Sequence, residues 1–433
     1  MQKSQDENLK ATTVFTPGAF PLYTYVERTD KRYEERLQDA IDIQGQVISI
    51  SGPSKSGKTV LVEKVVGTNN LITITGAGIN RADDMWSRIL DWMSVPSEVS
   101  TSNAEEVGVS LEGGTKAGLN LPTILKGEVS GTVKGNVSRQ KTRANISRRR
   151  GLNQVIDEIA NSEFTVLIDD FHYMPRDAQE EEAKQIKEAA RQGVKIIVAS
   201  VSHRSDDVVR ANPELRGRVT SIDLEYWNEA NLLTIAHQGF NTLKAELDAK
   251  VYEAFTKEAA GSPQLMQAVC LNTCFELDLR QILAIRQSFD VSKTIGNKIY
   301  ERTAASTDFR SLVDVLDSGP KTRGTERKIY SFSDGTKGDV YRCVLKALAS
   351  DPPKLSFPYT EILQRVQDIC ADGEPVGSSI TGSCLHISKL SLEKFPKERV
   401  VDWDEQKQVF DIPDPYLLFY LRWSGRLLEP EIS

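Results

Sequence analysis

A short segment near the start of the chain has the residue types and spacing of a phosphate-binding loop. It reads GPSKSGKT, runs from Gly52 to Thr59, and matches the pattern G-x-x-x-x-G-K-[ST] without a gap. Its glycines let the backbone bend so that its N–H groups can surround phosphate oxygens. The amine of Lys58 would reach the β- and γ-phosphates, and the Thr59 hydroxyl would bind Mg²⁺. The segment therefore predicts a nucleoside triphosphate and Mg²⁺ as ligands.

The sequence around this loop supports the same prediction. An apolar run at 47–50 precedes the loop, and VLVEKVV follows it, which predicts the order strand, loop, helix. The N-terminus of such a helix attracts anions. A plain glycine turn is the structural alternative, and the flanking strand and helix argue against it. The predicted nucleotide-binding residues of this region are Gly52, Pro53, Ser54, Lys55, Ser56, Gly57, Lys58, Thr59 and Val60.

Two adjacent carboxylates follow the most apolar predicted strand, at 165–168. A buried parallel strand that ends in a carboxylate places it beside the phosphate-binding loop, where it can hold Mg²⁺ or its water. We assign Asp169 to the metal and Asp170 to the general base that polarises the attacking water. The structural alternative is a helix cap or a solvated turn.

These motifs resemble those of the AAA+ superfamily and its relatives, the STAND signalling ATPases. The likeness is greatest to the branch with origin-recognition-like and archaeal-type ATPases, and it extends over residues 23–423. The resemblance implies ATP rather than GTP. It also places Ser202 and Arg204, after the strand KIIVAS, at the polar position near the γ-phosphate called sensor 1. The segment NPELRGRVTSIDL resembles the part of the family that carries an arginine finger.

The arginine finger would be Arg218, with Arg216 as second choice, and it would complete the site of a neighbouring subunit. This role implies a homo-oligomer. Pro263, in the segment GSPQL, resembles the proline of a lid motif near the nucleotide. Gln264 stands where AAA+ enzymes often have an arginine close by, which favours the STAND-like alternative. The segment VER at 26–28 resembles the part of the family that contacts adenine.

Strands and helices alternate over the first half of the chain. The predicted strands lie at 47–50, 71–75, 165–168, 195–199 and 219–224, and the predicted helices lie at 33–41, 82–93, 152–160 and 178–191. This alternation predicts an α/β fold, in which a parallel sheet is covered by helices on both faces. With the resemblance, the predicted fold class is a P-loop NTPase sheet with a helical lid, followed by a winged-helix domain.

The domain boundaries follow from changes of pattern along the chain. The first thirteen or so residues are polar, and we expect them to be disordered. The predicted parts are an N-terminal tail at 1–22, an ATPase core at 23–224, a lid at 225–287, linker helices at 288–338 and a winged-helix domain at 339–425.

The last hundred residues predict three helices, at 339–349, 358–369 and 378–392, followed by a β-hairpin around Asp404. Three helices and a hairpin make a winged helix, whose third helix can enter the major groove of DNA. The polar side chains on the outer face of that helix are Thr381, His386, Ser388 and Lys389. A protein-binding or purely structural winged helix explains the same pattern equally well.

A basic insertion interrupts the ATPase core at about 100–150, in a stretch rich in Gly, Ser and Thr. Its second half carries many lysines and arginines and one acid, Glu128. Such a surface could bind phosphates of DNA or RNA, or an acidic protein partner. It has no interleaved aromatic residues, so stacking on single strands is not indicated. A solvated β-ribbon or loop is the structural alternative.

The composition excludes several classes of protein. The formal net charge of -7 argues against a generally nucleic-acid-coating protein. The chain has no apolar run long enough for a membrane span, and its first residues lack a signal-peptide pattern. The five scattered cysteines fit neither a disulfide framework nor a zinc site. We therefore expect a cytoplasmic protein without a membrane partner.

Two hypotheses of function remain at this stage. The first is an ATP-hydrolysing molecular switch that oligomerises and acts with a partner protein, in microbial defence or signalling. The second is a DNA-associated AAA+ ATPase, a loader or regulator in replication, transposition or repair, which would bind DNA through the basic insertion or the winged helix. The basic insertion and the winged helix favour DNA, whereas the lid without an evident arginine favours the switch. At this length we expect such a switch to work with a partner protein rather than as a self-contained sensor.

Overall fold

A computed structural model describes residues 8–95, 98–101, 145–148, 151–201, 212, 215–321, 327–395 and 400–429. Within the first part of the chain these residues form alternating strands and helices. They are α1 (Ala11–Val14), α2 (Tyr33–Asp42), β1 (Val47–Gly52), α3 (Lys58–Val66), β2 (Leu71–Thr75), α4 (Ala82–Trp92), β3 (Glu98–Thr101), β4 (Asn145–Arg148), α5 (Leu152–Ile159), β5 (Thr165–Asp169), α6 (Arg176–Arg191), β6 (Lys195–Val201) and β7 (Val219–Asp223).

The central sheet has five parallel strands in the order β2-β5-β6-β1-β7. Strand β1 is buried along its whole length, as expected for a parallel strand covered on both faces. Because parallel strands end at the same edge, the loop after β1 and the carboxylates after β5 share that edge. The α/β class and the parallel sheet predicted from the sequence are confirmed.

Helices cover both faces of this sheet. On one face, α2 and α3 bury Leu37 and Val62 against the sheet. On the other face, α4, α5 and α6 bury a second cluster that contains Trp86 and Ile186. Each helix places an apolar stripe toward the sheet, and this burial is the main favourable term in holding the layers together.

The basic insertion is described only at its base. Strands β3 and β4 pair there in antiparallel fashion, from Glu98 opposite Arg148 to Thr101 opposite Asn145. The stretch 102–144, which carries most of the predicted basic residues, lies outside the described residues.

The lid follows the sheet and consists of helices with one small pair of strands. Its elements are α7 (Glu229–Thr242), β8 (Ala245–Leu247), α8 (Ala249–Glu258), α9 (Pro263–Glu276) and β9 (Gln287–Phe289). The strands β8 and β9 are parallel. The cluster of buried residues in the lid also takes in Ile299 and Tyr300 from the next helix, α10 (Lys293–Ala305).

The N-terminal segment is ordered from residue 8 onward, so the prediction of a disordered tail is wrong for residues 8–13. Leu9, Ala11, Val14 and Phe15 are buried in the core of the lid. The Phe15 ring lies 5.1 Å from that of Phe240. A Cβ atom at Gly239 would come within 2.2 Å of the Phe15 ring, so this close approach requires glycine. These apolar residues stand within a polar stretch, and their burial depends on a partner far along the chain.

The C-terminal domain has the elements of a winged helix. They are α11 (Arg310–Ser318), β10 (Tyr330–Ser331), β11 (Lys337–Gly338), α12 (Val340–Ala349), β12 (Ser356–Pro358), α13 (Tyr359–Ile369), α14 (Gly377–Lys394), β13 (Asp402–Asp404), β14 (Val409–Asp411) and α15 (Pro415–Trp423). The hairpin of β13 and β14 forms an antiparallel sheet with β12. The predicted winged-helix fold is confirmed.

The predicted linker does not form a unit of its own. Helix α10 belongs to the hydrophobic cluster of the lid, as Ile299 shows. Helix α11 contributes Leu312 and Leu316 to the core of the winged-helix domain. The Arg342 guanidinium of α12, itself buried, pairs with Asp317 and ties α11 to that domain.

Candidate nucleotide-binding site

A cavity of about 510 Å³ opens at the carboxyl edge of the sheet, where the phosphate-binding loop lies. Several other parts of the chain contribute to its wall. Among them are the end of β5, residues of the N-terminal segment between Thr16 and Arg28, the first turn of α9, and Asp414 of the C-terminal domain. The volume is in the range of small-molecule sites in proteins.

The loop connects β1 to α3 through a close backbone approach. A Cβ atom at Gly52 would lie 2.8 Å from the Leu224 Cβ, so only glycine fits at the end of β1. Gly57 has a φ of 95° and forms the N-cap of α3. This is left-handed backbone, which glycine adopts without strain. The predicted strand, loop and helix are present, and residues from Ser54 to Val60 line the cavity.

Lys58 is a buried cation that lies beside the cavity. Its Nζ donates to the carbonyl oxygens of Gly52, at 3.1 Å, and of Pro53, at 2.9 Å. Burial lowers the pKa of the Lys58 amine, and the nearby Asp169 and Asp170 oppose this effect. Two neutral carbonyls compensate a buried ammonium poorly, so an anion bound in the cavity would stabilise it.

A second feature of the loop fits a phosphate ligand. The Ser56 hydroxyl oxygen is buried and has no hydrogen-bond partner among the described residues. Buried polar atoms normally have a partner, and an orphan in a cavity wall indicates a missing ligand or water. The α3 N-terminus, the Lys58 amine and the Ser56 hydroxyl together suit a polyphosphate chain.

Thr59 and Asp169 meet at the same edge of the sheet. The Thr59 hydroxyl donates to Asp169 Oδ2 at 2.6 Å. Hydroxyl and carboxylate oxygens are the ligands that Mg²⁺ prefers, and the cation usually keeps several waters and takes the rest of its shell from phosphates. The two side chains therefore fit the predicted magnesium site.

Asp170 stands next to the predicted metal ligand in a left-handed backbone conformation, with a φ of 55°. Its backbone N–H donates to Asp169 Oδ1 at 2.9 Å, which orients the Asp169 carboxylate. Asp170 also lines the cavity, as a residue that polarises water must. Its φ is a strained value, which functional sites often contain.

Some of the remaining predicted nucleotide-binding residues line the cavity, and others lie outside the described residues. Pro263 and Gln264, in the first turn of α9, line the cavity as the lid motif predicts. Gly52 and Pro53 contribute through their carbonyls to Lys58. Val201, at the end of β6, also lines the cavity. The sensor 1 candidates Ser202 and Arg204, which come next, lie outside the described residues.

The predicted arginine finger lies at the other edge of the sheet. Arg216 and Arg218 are exposed and immediately precede β7. The Arg218 carbonyl accepts from the N–H of Val47, the first residue of β1, so Arg218 is at the amino ends of the parallel strands. Thr59 and Asp169 are at their carboxyl ends. Arg218 therefore does not belong to the site of its own chain, and a catalytic role would require a second copy.

Sequence reasoning missed an aromatic clamp on the phosphate-binding loop. Trp227, at the start of the lid, donates its indole N–H to the Ser56 carbonyl at 2.9 Å. The Arg28 guanidinium lies between the Tyr33 ring, 4.5 Å from its centroid, and the Trp227 ring, 4.9 Å away. The only signal in the sequence was the segment that contains Arg28. Nothing in the local pattern around Trp227 indicates this contact.

A second set of missed residues holds the N-terminal segment against the lid. The Gln267 side chain is buried; its oxygen accepts from the Thr16 N–H at 3.2 Å, and its nitrogen donates to the Thr24 hydroxyl at 2.6 Å. Residues 16–21 and Thr24 line the cavity. Gln267 thus holds both ends of a segment that forms part of the cavity wall.

A further acid that sequence reasoning missed is Glu63, which lies one turn after Thr59 on α3 and lines the cavity. Burial, and next the charge of Asp169, raise the pKa of the Glu63 carboxyl. Three carboxylates, including Asp169 and Asp170, therefore stand near the predicted metal position. A cation would relieve their mutual repulsion.

Three side chains of the predicted DNA-facing helix make hydrogen bonds within their own domain. His386 Nδ1 is hydrogen-bonded to the Tyr341 hydroxyl at 2.7 Å, and the Ser388 hydroxyl oxygen accepts from the Trp403 N–H at 3.3 Å. The Thr381 hydroxyl donates to the Gly377 carbonyl at 3.1 Å. His386 and Lys389 are exposed, and Thr381 and Ser388 are partly buried.

Across the described parts of the chain, none of the helices combines the length and apolar character needed to span a membrane. All five cysteines are free, and Cys270 and Cys274 are buried in α9.

The chain is similar in fold to several solved structures, whereas no protein-family model and no curated protein matches it. Cdc6p from Pyrobaculum aerophilum is 10% identical, with a TM-score of 0.43, and the match covers 97% of this chain and 98% of that chain. The ORC2 protein of Aeropyrum pernix is 13% identical, with 97% and 98% covered and a TM-score of 0.45. A Walker-type ATPase of Pyrococcus abyssi is 14% identical, with 93% and 96% covered and a TM-score of 0.48.

The P-loop, the five-stranded parallel sheet, the helical lid and the winged-helix domain make up the architecture that the resemblance to AAA+ ATPases implies. The fold class predicted from the sequence is confirmed.

Proposed function

We propose that the chain binds ATP together with Mg²⁺ in the cavity described above and hydrolyses the γ-phosphate. The observation that carries this proposal is the hydrogen bond from the Thr59 hydroxyl to Asp169 Oδ2, next to the buried amine of Lys58. These groups come from separate elements and meet at one edge of the sheet. A structural role for the loop alone does not require such a meeting.

Each residue has a distinct part in the proposed reaction. The backbone N–H groups of the loop and the Lys58 amine bind the phosphates, and they hold the γ-phosphorus in line for attack. Thr59 and Asp169 hold Mg²⁺, which supplies charge neutralisation on the phosphate oxygens. Asp170 accepts a proton from, or orients, the attacking water.

The contacts of the C-terminal domain favour a molecular switch over a DNA-associated loader or regulator. Asp414, next to α15, lines the nucleotide cavity and pairs with Lys55 of the loop, so the winged-helix domain is in direct contact with the nucleotide site. The predicted DNA face of α14 has its His386 and Ser388 side chains hydrogen-bonded within the domain. We therefore propose that ATP turnover controls the position of the C-terminal domain toward a protein partner in a homo-oligomer.

The experiment that separates this proposal from the DNA-associated alternative is ATP turnover with and without duplex DNA, with Lys58→Ala as the blank. Turnover that requires intact Lys58 and does not respond to duplex DNA supports the switch. Stimulation by DNA that fades as salt rises supports the alternative, since phosphate contacts are weakened by salt. Equal phosphate release by wild type and Lys58→Ala contradicts ATP hydrolysis at this site.

A further inference from the structure

The helix α15 connects the C-terminal domain to the ATPase domain at both of its ends. At its C-terminal end, the Arg422 guanidinium donates to both carboxylate oxygens of Glu258 in the lid, at 3.0 and 2.7 Å. The Trp423 indole donates to the same carboxylate at 2.7 Å. The side chains of this pair are largely buried, with 7% of Arg422 and 11% of Glu258 exposed. The helix is therefore anchored to the lid, and its other end is held over the nucleotide cavity.

At that other end, the N-cap residue of α15 pairs with the phosphate-binding loop. Lys55 Nζ lies 3.3 Å from Asp414 Oδ2, and 5.1 Å from the centroid of the Tyr416 ring. The other oxygen of Asp414 accepts from the N–H of Tyr416 at 3.0 Å, which caps the helix. Only 17% of the Asp414 side chain is exposed, and both Lys55 and Asp414 line the cavity.

This pairing places a carboxylate in the wall of a phosphate site and uses a lysine that would otherwise attract phosphate. Lys55 is part of the loop whose other groups we assign to the nucleotide. Its ammonium group is paired with the Asp414 carboxylate. While the pair is formed, Asp414 offsets the Lys55 charge that would otherwise attract phosphate. This loss of attraction affects ATP more than ADP because ATP carries an additional negative charge.

We propose that Asp414 is a specificity-determining residue, supplied by the C-terminal domain, that lowers the affinity of the site for ATP relative to ADP. This inference rests on the proposed function, because it concerns the ligand of the same cavity. Binding free energies are reciprocal, so whatever factor Asp414 imposes against ATP, ATP imposes against the contact of α15 with the loop. The docked position of the C-terminal domain is then the ADP-favouring state, and the γ-phosphate weakens it.

Asp414→Asn tests this directly, because asparagine caps a helix as well as aspartate but carries no charge. The measurement is the dissociation constant of Mg²⁺-ATP and of Mg²⁺-ADP by calorimetric titration of the full chain. We expect the ratio of ATP to ADP affinity to rise about fivefold, the size of one unit charge acting across a partly solvated cavity. Asp248→Asn is the matched control, because Asp248 is the exposed N-cap of α8 and does not line the cavity.

Lys55→Gln gives a second test of opposite sign. It removes the cation and leaves the Asp414 charge uncompensated, so the ratio of ATP to ADP affinity should fall below that of wild type. An unchanged ratio in Asp414→Asn, or equal shifts for ATP and ADP in that variant, overturns the inference whatever Lys55→Gln does. Wild-type protein that binds neither nucleotide contradicts the proposed function instead, so the two failures are distinguishable.

Discussion

Asp169 Oδ2 accepts a hydrogen bond from the Thr59 hydroxyl, with an oxygen–oxygen distance of 2.6 Å, although the two residues are 110 positions apart in the chain. Thr59 is in the first turn of α3 and Asp169 ends β5, and strand β6 lies between β1 and β5 in the sheet. The strand order therefore brings the hydroxyl that follows the phosphate-binding loop against the carboxylate of another strand. This pair is the geometric basis for the magnesium site.

Asp169→Asn should reduce ATP turnover by about 100-fold or more, because the amide keeps the size of the side chain and loses the charge that holds Mg²⁺. The measurement is phosphate release as a function of Mg²⁺ concentration, in which the variant should need far more Mg²⁺. Asp177→Asn, an exposed carboxylate in the first turn of α6, is the control and should behave as wild type. Wild-type Mg²⁺ dependence in Asp169→Asn would rule out the assigned ligand.

Arg218→Ala should lower turnover by about 100-fold and leave ATP affinity within about twofold, as for an arginine finger supplied by a neighbour. The sharper test mixes this variant with Lys58→Ala. The Lys58→Ala subunits still provide Arg218, and the Arg218→Ala subunits still provide an intact loop, so the mixture should regain part of the activity that each lacks alone.

If mixing restores nothing, Arg218 does not act on a neighbouring subunit. Arg216→Ala is the comparison variant, since Arg216 is exposed on the same turn and is the second choice from the sequence. A larger loss in Arg216→Ala than in Arg218→Ala, with recovery on mixing, would move the role to Arg216.

Trp227→Phe should weaken ATP binding severalfold, because it leaves the Ser56 carbonyl without the indole N–H that holds the loop. A lost hydrogen bond of this kind costs about 1 kcal/mol. The dissociation constant of ATP gives the effect, and thermal unfolding without nucleotide shows whether the fold is kept. Trp92→Phe, an exposed tryptophan outside the cavity wall, is the matched control. ATP affinity equal to wild type would exclude a positioning role for Trp227.

The stability of the protein should fall as the pH rises, because of the buried carboxyl of Glu182. Its side chain is fully buried, and neither carboxylate oxygen has a hydrogen-bond partner among the described residues. Burial, and then the charges of Asp83, Glu181 and Asp84, raise the pKa of Glu182 to about 9. A carboxyl whose folded pKa exceeds its unfolded pKa favours folding while it is protonated, and this contribution is lost as the pH rises through the folded value.

The unfolding free energy of the wild type should therefore fall between about pH 5 and pH 9. Glu182→Gln keeps the shape and stays neutral, so it should flatten this dependence and stabilise the protein at pH 8, by about 2 kcal/mol or more. Denaturant titrations of both proteins at several pH values measure this unfolding free energy. Parallel pH profiles in the two proteins would show that Glu182 is not the titrating group.

The sequence predicts the sheet well because its strands are short apolar runs with distinct ends. The predicted run at 71–75 coincides with β2, and the predicted strand before the loop agrees with β1 apart from its last residues. The phosphate-binding loop can also be predicted from local sequence, since its function depends on residue types at fixed spacing. Strands and loops of this kind depend on residues that are neighbours in sequence, so a sequence pattern can reveal them.

The parts of the site that the sequence does not predict are contacts between distant segments. Asp414 meets Lys55 from 359 positions away, and Gln267 meets Thr16 from 251 positions away. The local sequence around each of these residues indicates only a helix cap, a helical glutamine or a loop residue. Their proximity depends on how the lid and the C-terminal domain pack, and no periodicity or spacing indicates it.

The measurement that tests the central claim most directly is ATP binding together with phosphate release, in wild type and in Lys58→Ala. Lys184→Ala, an exposed lysine on α6 outside the cavity wall, serves as the control. We predict that wild type and Lys184→Ala release phosphate in the presence of Mg²⁺, and that Lys58→Ala does not. Turnover by Lys58→Ala at the wild-type rate, with its fold intact, would contradict the assignment of the site.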